Sequence, residues 1–100
     1  MVEQQSNINK VIKNLKLYCN ENNLPIKELY ISTMKNKKFM IRNPINNKLV
    51  HFGNSNYDDF TKHNDLIRQQ NYLKRATKIK GNWKDNPYSP NNLSINLLWN

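Results

Sequence analysis

Glycine occurs only twice in this chain, at Gly53 and Gly81, too far apart to build the glycine-rich loop that cradles a nucleotide's phosphates. Cysteine occurs once, at Cys19, which excludes an internal disulfide and a cysteine-built zinc site and leads us to expect a reducing compartment. Long apolar runs are missing as well. None approaches the ~20 residues of a membrane span, so no membrane association is expected. The N-terminal MVEQQSNINK lacks the apolar block of a signal peptide, and synthesis in the cytosol is expected. Acids are scarce: seven Asp and Glu stand against sixteen Lys and Arg.

That imbalance gives a formal charge of +9, beyond what solubility needs, and points to phosphate-rich partners or another anionic surface. A second source of the charge is genome composition. Asparagine fills a fifth of the chain, and Asn, Lys and Ile are the residues that AT-rich codons supply. One hundred residues hold one modest core, and no linker or internal repeat divides them. The expected organisation is a single domain over 1–100.

The stretch from His51-Phe52-Gly53 to Trp83 organises the chain, running from a strand end through an acidic turn into its most basic helix. Before it, Ser6 reads as an N-cap, and Ile8, Val11, Ile12, Leu15, Tyr18 and Cys19 recur at spacings of three and four, predicting a helix that stops near Asn22-Asn23. Three β-prone runs follow, Leu29 to Met34, Lys38 to Arg42 and Leu49 to Phe52, joined by Lys35-Asn36 and by a loop around Pro44, which predicts an antiparallel meander. After a loop at 53–59, Asp59 or Thr61 is placed to cap a long helix from Thr61 to about Ile79. Its wheel sets Leu66, Tyr72, Leu73, Ala76 and Ile79 on an apolar arc, against Arg68, Asn71, Lys74, Arg75 and Lys78. Ser89-Pro90 opens a short last helix whose Leu93, Leu97, Leu98 and Trp99 turn to the core or, for Trp99, to a neighbour. The expected fold is therefore α+β: an N-terminal helix, a three-stranded antiparallel meander, a long basic helix and a short C-terminal helix.

Candidate chemistry is of three kinds. Asp58, Asp59, His63 and Asp65 crowd eight residues near His51 and would suit a divalent metal, but the spacing is not of zinc type and helix capping accounts for acids at a helix start. No metal and no cofactor are expected. Cys19 lies on the apolar face of the first helix, where a thiol without a neighbouring base is inert, so no catalytic residue is expected. The cations offer more. Arg68, Lys74, Arg75, Lys78, Lys80 and Lys84 continue one basic surface, and Lys35, Lys37, Lys38 and Arg42 make the first hairpin basic. Tyr57 and Trp83, in loops beside these cations, are the candidates for base stacking, although aromatics in so small a domain more often form its core.

From Lys48 onwards the chain carries HFG, YDDFTKHND, Arg68, Tyr72, Arg75, Asn82-Trp83 and a closing LLWN. This ordered series resembles a short domain family of unknown function found in nucleocytoplasmic large DNA viruses, with the meander before it fitting more loosely. The sequence departs from that pattern at Ala76, where a His is expected, and around Leu93 to Ile95. The resemblance implies a viral protein in the host cytoplasm or viral factory, or one carried in the virion, but no activity. Two roles follow as expectations: a non-enzymatic protein binding nucleic acid, DNA ahead of RNA, through phosphate contacts, or a minor virion- or capsid-associated protein whose basic surface meets acidic protein surfaces.

Overall fold

The computed structural model describes residues 6–100; the expectation drawn from MVEQQ lies outside them. Helix α1, Ile8–Glu21, forms where the three-and-four spacing of apolar residues requires it. Its cap is Asn7, not Ser6: the Asn7 side chain accepts from the Lys10 amide at 3.2 Å. Ser6 is drawn away because its hydroxyl donates to Asp59, 53 residues on. Val11, Leu15, Tyr18 and Cys19 are buried from the predicted face, while Ile8 stays exposed at the helix start.

The sheet has the order β1-β2-β3, antiparallel throughout, with β1 Tyr30–Ile31, β2 Lys37–Arg42 and β3 Leu49–Asn54. Phe39 lies opposite Phe52 and Ile41 opposite Val50, which brings the alternating apolar residues to one face. The first strand is shorter than its β-prone run. After Ile31 the Ser32 amide still donates to the Lys38 carbonyl at 3.1 Å, but its hydroxyl accepts from the Met34 amide at 3.0 Å and Asn36 takes a left-handed φ of 67°, so the chain turns over Thr33 to Asn36 instead of continuing β1.

The long basic helix is two helices: α2, Phe60–His63, and α3, Leu66–Ala76. Asp59 caps α2 through the Thr61 amide, as expected. The break follows from His63-Asn64-Asp65. Asn64 adopts φ 54°, ψ 27°, and the Asp65 carboxylate accepts from the Ile67 and Arg68 amides, starting a new helix inside what reads as one apolar period. At the far end the Thr77 hydroxyl donates to the Leu73 carbonyl at 2.6 Å, and α3 stops before Ile79. The last segment is α4, Pro90–Leu93, capped by Ser89 and continued by a π-helical turn over Ser94–Leu98. Among the described residues no helix is long and apolar enough to cross a membrane.

One core joins α1, the inner face of β2 and β3, and the C-terminal segment through Val11, Leu15, Tyr18, Phe39, Ile41, Phe52, Tyr88, Leu93, Leu97 and Leu98. Leu93, Leu97 and Leu98 together contribute about 6 kcal/mol of burial, comparable to the net stability of a small domain. The chain's last turns are therefore structural. Two buried polar ties hold α1 to this segment: the Asn14 amide to the Leu97 carbonyl at 3.0 Å and the Tyr18 hydroxyl to the Pro87 carbonyl at 2.8 Å.

Helix α3 contributes nothing to that core. Of its expected apolar arc only Ala76 is buried; Leu66 and, beyond the helix end, Ile79 are exposed. It is held instead by the Tyr72 ring stacked on Trp99, with centroids 4.2 Å apart, and by hydrogen bonds from the Gln69 amide to the Trp99 carbonyl and from the Asn91 amide to the Ala76 carbonyl. Trp99 thus docks on its own domain.

Candidate functional site

A cleft of about 770 Å³ opens between the β2–β3 end of the sheet, the loop leading to Asp59, one face of α3 and the start of α4. Its position follows from the fold: α3 stands off from the core, and what lies between it and the sheet is open. Residues far apart in sequence meet there. Lys37 and Lys38 come from β2, Gly53 from β3, Tyr57, Asp58 and Asp59 from the loop, Arg68, Asn71, Tyr72 and Arg75 from α3, and Asn91 from α4.

The α3 contribution is set by helix geometry. Residues 68, 71, 72 and 75 are separated by three and four positions and share one face. Two arginines and an asparagine therefore converge on the cleft, while Tyr72 turns towards Trp99. Burial raises the Tyr72 phenol pKa, and a hydrogen bond with Ser94 and the Arg75 charge partly offset this.

Below the cations lies a buried hub. The Asp59 carboxylate, 1 % exposed, receives the Lys38 ammonium at 2.8 Å, the Thr61 amide at 3.0 Å and the hydroxyls of Ser6 and Thr61. Thr61 in turn accepts from the Asn7 amide at 3.0 Å. The hub links the start of α1, β2 and the start of α2. Gly53 makes it possible. Its φ is +84°, and a Cβ there would meet Leu98 Cδ1 at 2.8 Å and Lys38 Cβ at 3.1 Å. The glycine of HFG and the second aspartate of YDDF thus serve one device.

Asp65 and His63 have structural duties. Asp65 caps α3, and the His63 Nδ1 accepts from the Asp65 amide at 2.9 Å. That bond places the neutral ring's proton on Nε2, which is buried with no hydrogen-bond partner among the described residues; the Trp99 ring centroid lies 5.3 Å from that of His63. Burial, and then the charge of Arg68, push the His63 pKa below its ordinary value. Among the described residues no three His, Cys, Asp or Glu side chains gather as a metal site. Cys19 is buried, and burial raises its thiol pKa.

The expected cations divide. Arg68, Arg75, Lys37 and Lys38 line the cleft, and Lys38 is the partner of Asp59. Among the described residues Arg68, Arg75 and Lys37 are in no ion pair. Set against Asp58, the one other carboxylate that lines it among the described residues, they give those residues a net charge of plus two. Lys35, Lys74, Lys78, Lys80, Lys84 and Arg42 are exposed but do not line it. Arg42 donates to the Asn47 carbonyl at 2.7 Å, and the Lys84 ammonium sits 5.6 Å from the Trp83 ring centroid. Trp83 is half-buried and donates from Nε1 to the Ile79 carbonyl, whereas Tyr57 is 64 % exposed at the cleft. Sequence reading missed the Lys38–Asp59 pair, the Tyr72–Trp99 stack and the place of Asn91. The one local signal was an acid doublet before a helix.

A family model described as a family of unknown function, DUF5754, matches residues 27–76, half of the chain. The chain belongs to the DUF5754 family. The matched part of this DUF5754 protein runs from before β1 to the end of α3. It therefore includes the meander, the acidic turn and both arginines of the cleft, and it starts earlier and ends earlier than the stretch from Lys48 onwards that carries the sequence resemblance. The Asn82-Trp83 and LLWN segments fall outside it. No curated protein and no solved structure matches the chain.

Proposed function

We propose that this DUF5754 member binds nucleic acid without catalysis, through phosphate contacts made in the cleft. The observation that carries this reading is the convergence of Arg68, Arg75 and Lys37, 38 residues apart at the extremes, on one concave surface without carboxylate partners among the described residues. Guanidinium groups meet phosphate oxygens in a two-pronged fork, and cations in a concavity focus the field on an incoming anion. The rest of the site supports a binding role. Near it in sequence, His63, Asp59 and Asp65 are occupied in caps and the buried pair, and among the described residues none of the three stands as a base beside a nucleophile. Following the resemblance of the HFG and YDDFTKHND series, we place the protein in a giant virus, in the host cytoplasm or viral factory and associated with genome or virion.

Titration of a labelled DNA duplex in rising salt tests this. Three phosphate contacts give a slope of log affinity against log salt of about −3. Arg68→Ala combined with Arg75→Ala should flatten that slope, and Lys80→Ala with Lys84→Ala should change it little. Absence of binding at low salt, both by the duplex and by the same strand unpaired, would shift the role to the second reading, a minor virion- or capsid-associated protein. One observation favours that alternative: Ile26, Tyr30, Ile31 and Met34 remain exposed on and beside the edge strand β1. Trp99→Ala does not test it, because Trp99 is engaged by Tyr72 and Gln69.

A further inference from the structure

The cations of the cleft surround something a duplex has no use for. Tyr57 is 64 % exposed, makes no ring contact with another aromatic among the described residues, and lines the same cleft as Arg68, Arg75 and Lys37. A duplex keeps its base faces stacked inside and offers only phosphates and groove edges; a single strand has base faces free to lie on an aromatic ring. Size points the same way. A volume of about 770 Å³ is in the range of sites that hold one small molecule, so a nucleotide with its phosphate fits inside, whereas a duplex can only lay its phosphate backbone against the cations at the mouth.

We infer that the cleft holds single-stranded nucleic acid, one base laid on the Tyr57 ring and the flanking phosphates met by Arg68, Arg75 and Lys37. The inference rests on the phosphate-binding reading above and narrows its ligand. It also gives a place to two further polar groups of the lining. Asp58 is a carboxylate that only accepts hydrogen bonds, out of keeping with a site for phosphate alone, and the amino groups of cytosine and adenine are donors that suit it. The Asn71 carboxamide, exposed on the α3 face between the two arginines, carries both a donor and an acceptor for a base edge.

The experiment compares a short fluorescein-labelled DNA strand with the same strand annealed to its complement, by fluorescence anisotropy at low salt. It uses wild type, Tyr57→Ala, Tyr57→Phe and the Arg68→Ala/Arg75→Ala double variant. Tyr57 is exposed, so its variants should melt with wild type, and a thermal scan confirms that each is folded. The single strand should bind more tightly than the duplex. Tyr57→Ala should weaken single-strand binding about tenfold, the worth of one base–aromatic stack, leave the duplex unchanged, and be rescued by Tyr57→Phe. The double arginine variant should weaken both. Equal or tighter binding of the duplex, or a Tyr57→Ala protein that holds the single strand as well as wild type, overturns the single-strand inference and leaves the phosphate reading standing. Failure of both probes to bind at low salt removes the phosphate reading, and this inference with it.

Discussion

Replacing Lys38 by Met removes one charge from a buried pair and keeps the length of the aliphatic stem beside Gly53. At 2.8 Å and an effective dielectric of about 20, the attraction between Lys38 and Asp59 is about 6 kcal/mol. Most of this is offset by the desolvation of two ions, each of which costs several kcal/mol, so the intact pair contributes little net stability. Lys38→Met exposes that balance from one side. The Asp59 carboxylate stays buried and keeps its amide and hydroxyl donors but loses the ammonium. The expected loss is about 3–5 kcal/mol, against a total of about 5–15 kcal/mol for a domain of this size, with a fall in Tm of about 15–30 °C. Adding Asp59→Asn to Lys38→Met removes the stranded charge while leaving an oxygen to accept from the Thr61 amide. The double variant should therefore recover to within about 2 kcal/mol of wild type. Urea denaturation followed by circular dichroism measures all three proteins. A Lys38→Met protein within about 1 kcal/mol of wild type, or a double variant no more stable than the single, would refute the argument from charge burial.

Gly53→Ala should destabilise by about 2–4 kcal/mol, combining the penalty of a side chain at positive φ with overpacking against Leu98; chemical denaturation reads it, and a loss below about 1 kcal/mol would show that the strand end relaxes freely. Burial, then the neighbouring Cys19 and Tyr88, push the Tyr18 phenol up to about 12. Because the folded value lies above the unfolded value of about 10, this group's contribution is fully present below pH 10 and is lost as pH rises towards 12. Stability measured across that window should fall, and the fall should be smaller in Tyr18→Phe, which loses instead the hydrogen bond to Pro87 at every pH.

Much of the fold was legible because it is written in local periodicity. The face of α1, the alternation of Phe39 and Ile41, the Asp59 cap and the Ser89-Pro90 start all depend on neighbours within four residues, and each stands where the pattern puts it. Errors arose where two local signals competed. Through His63-Asn64-Asp65 the apolar spacing continues, but Asn64 in the left-handed region and Asp65 as a cap break the helix. In the first hairpin, the Ser32 side chain holds the Met34 amide and turns the chain where the β-prone run would have continued the strand. The cleft was half legible: Arg68 and Arg75 share a helix face by spacing alone, and Tyr57 stood out as an aromatic in a polar loop.

By itself, then, the sequence determined the kinds and order of the elements, the single basic domain of α+β class, and the pool of cations available for binding. Tertiary structure alone decided which of them act together. It consumed Lys38 in a pair with an aspartate 21 positions away, turned Lys35, Lys80 and Lys84 elsewhere, and set Lys37 and Tyr57 across from Arg68 and Arg75. The reason is physical: hydrogen-bond geometry fixes spacing over a turn or a strand pair, whereas the gap between α3 and the sheet depends on how Trp99 and Tyr72 stack and how far from the core they hold the helix.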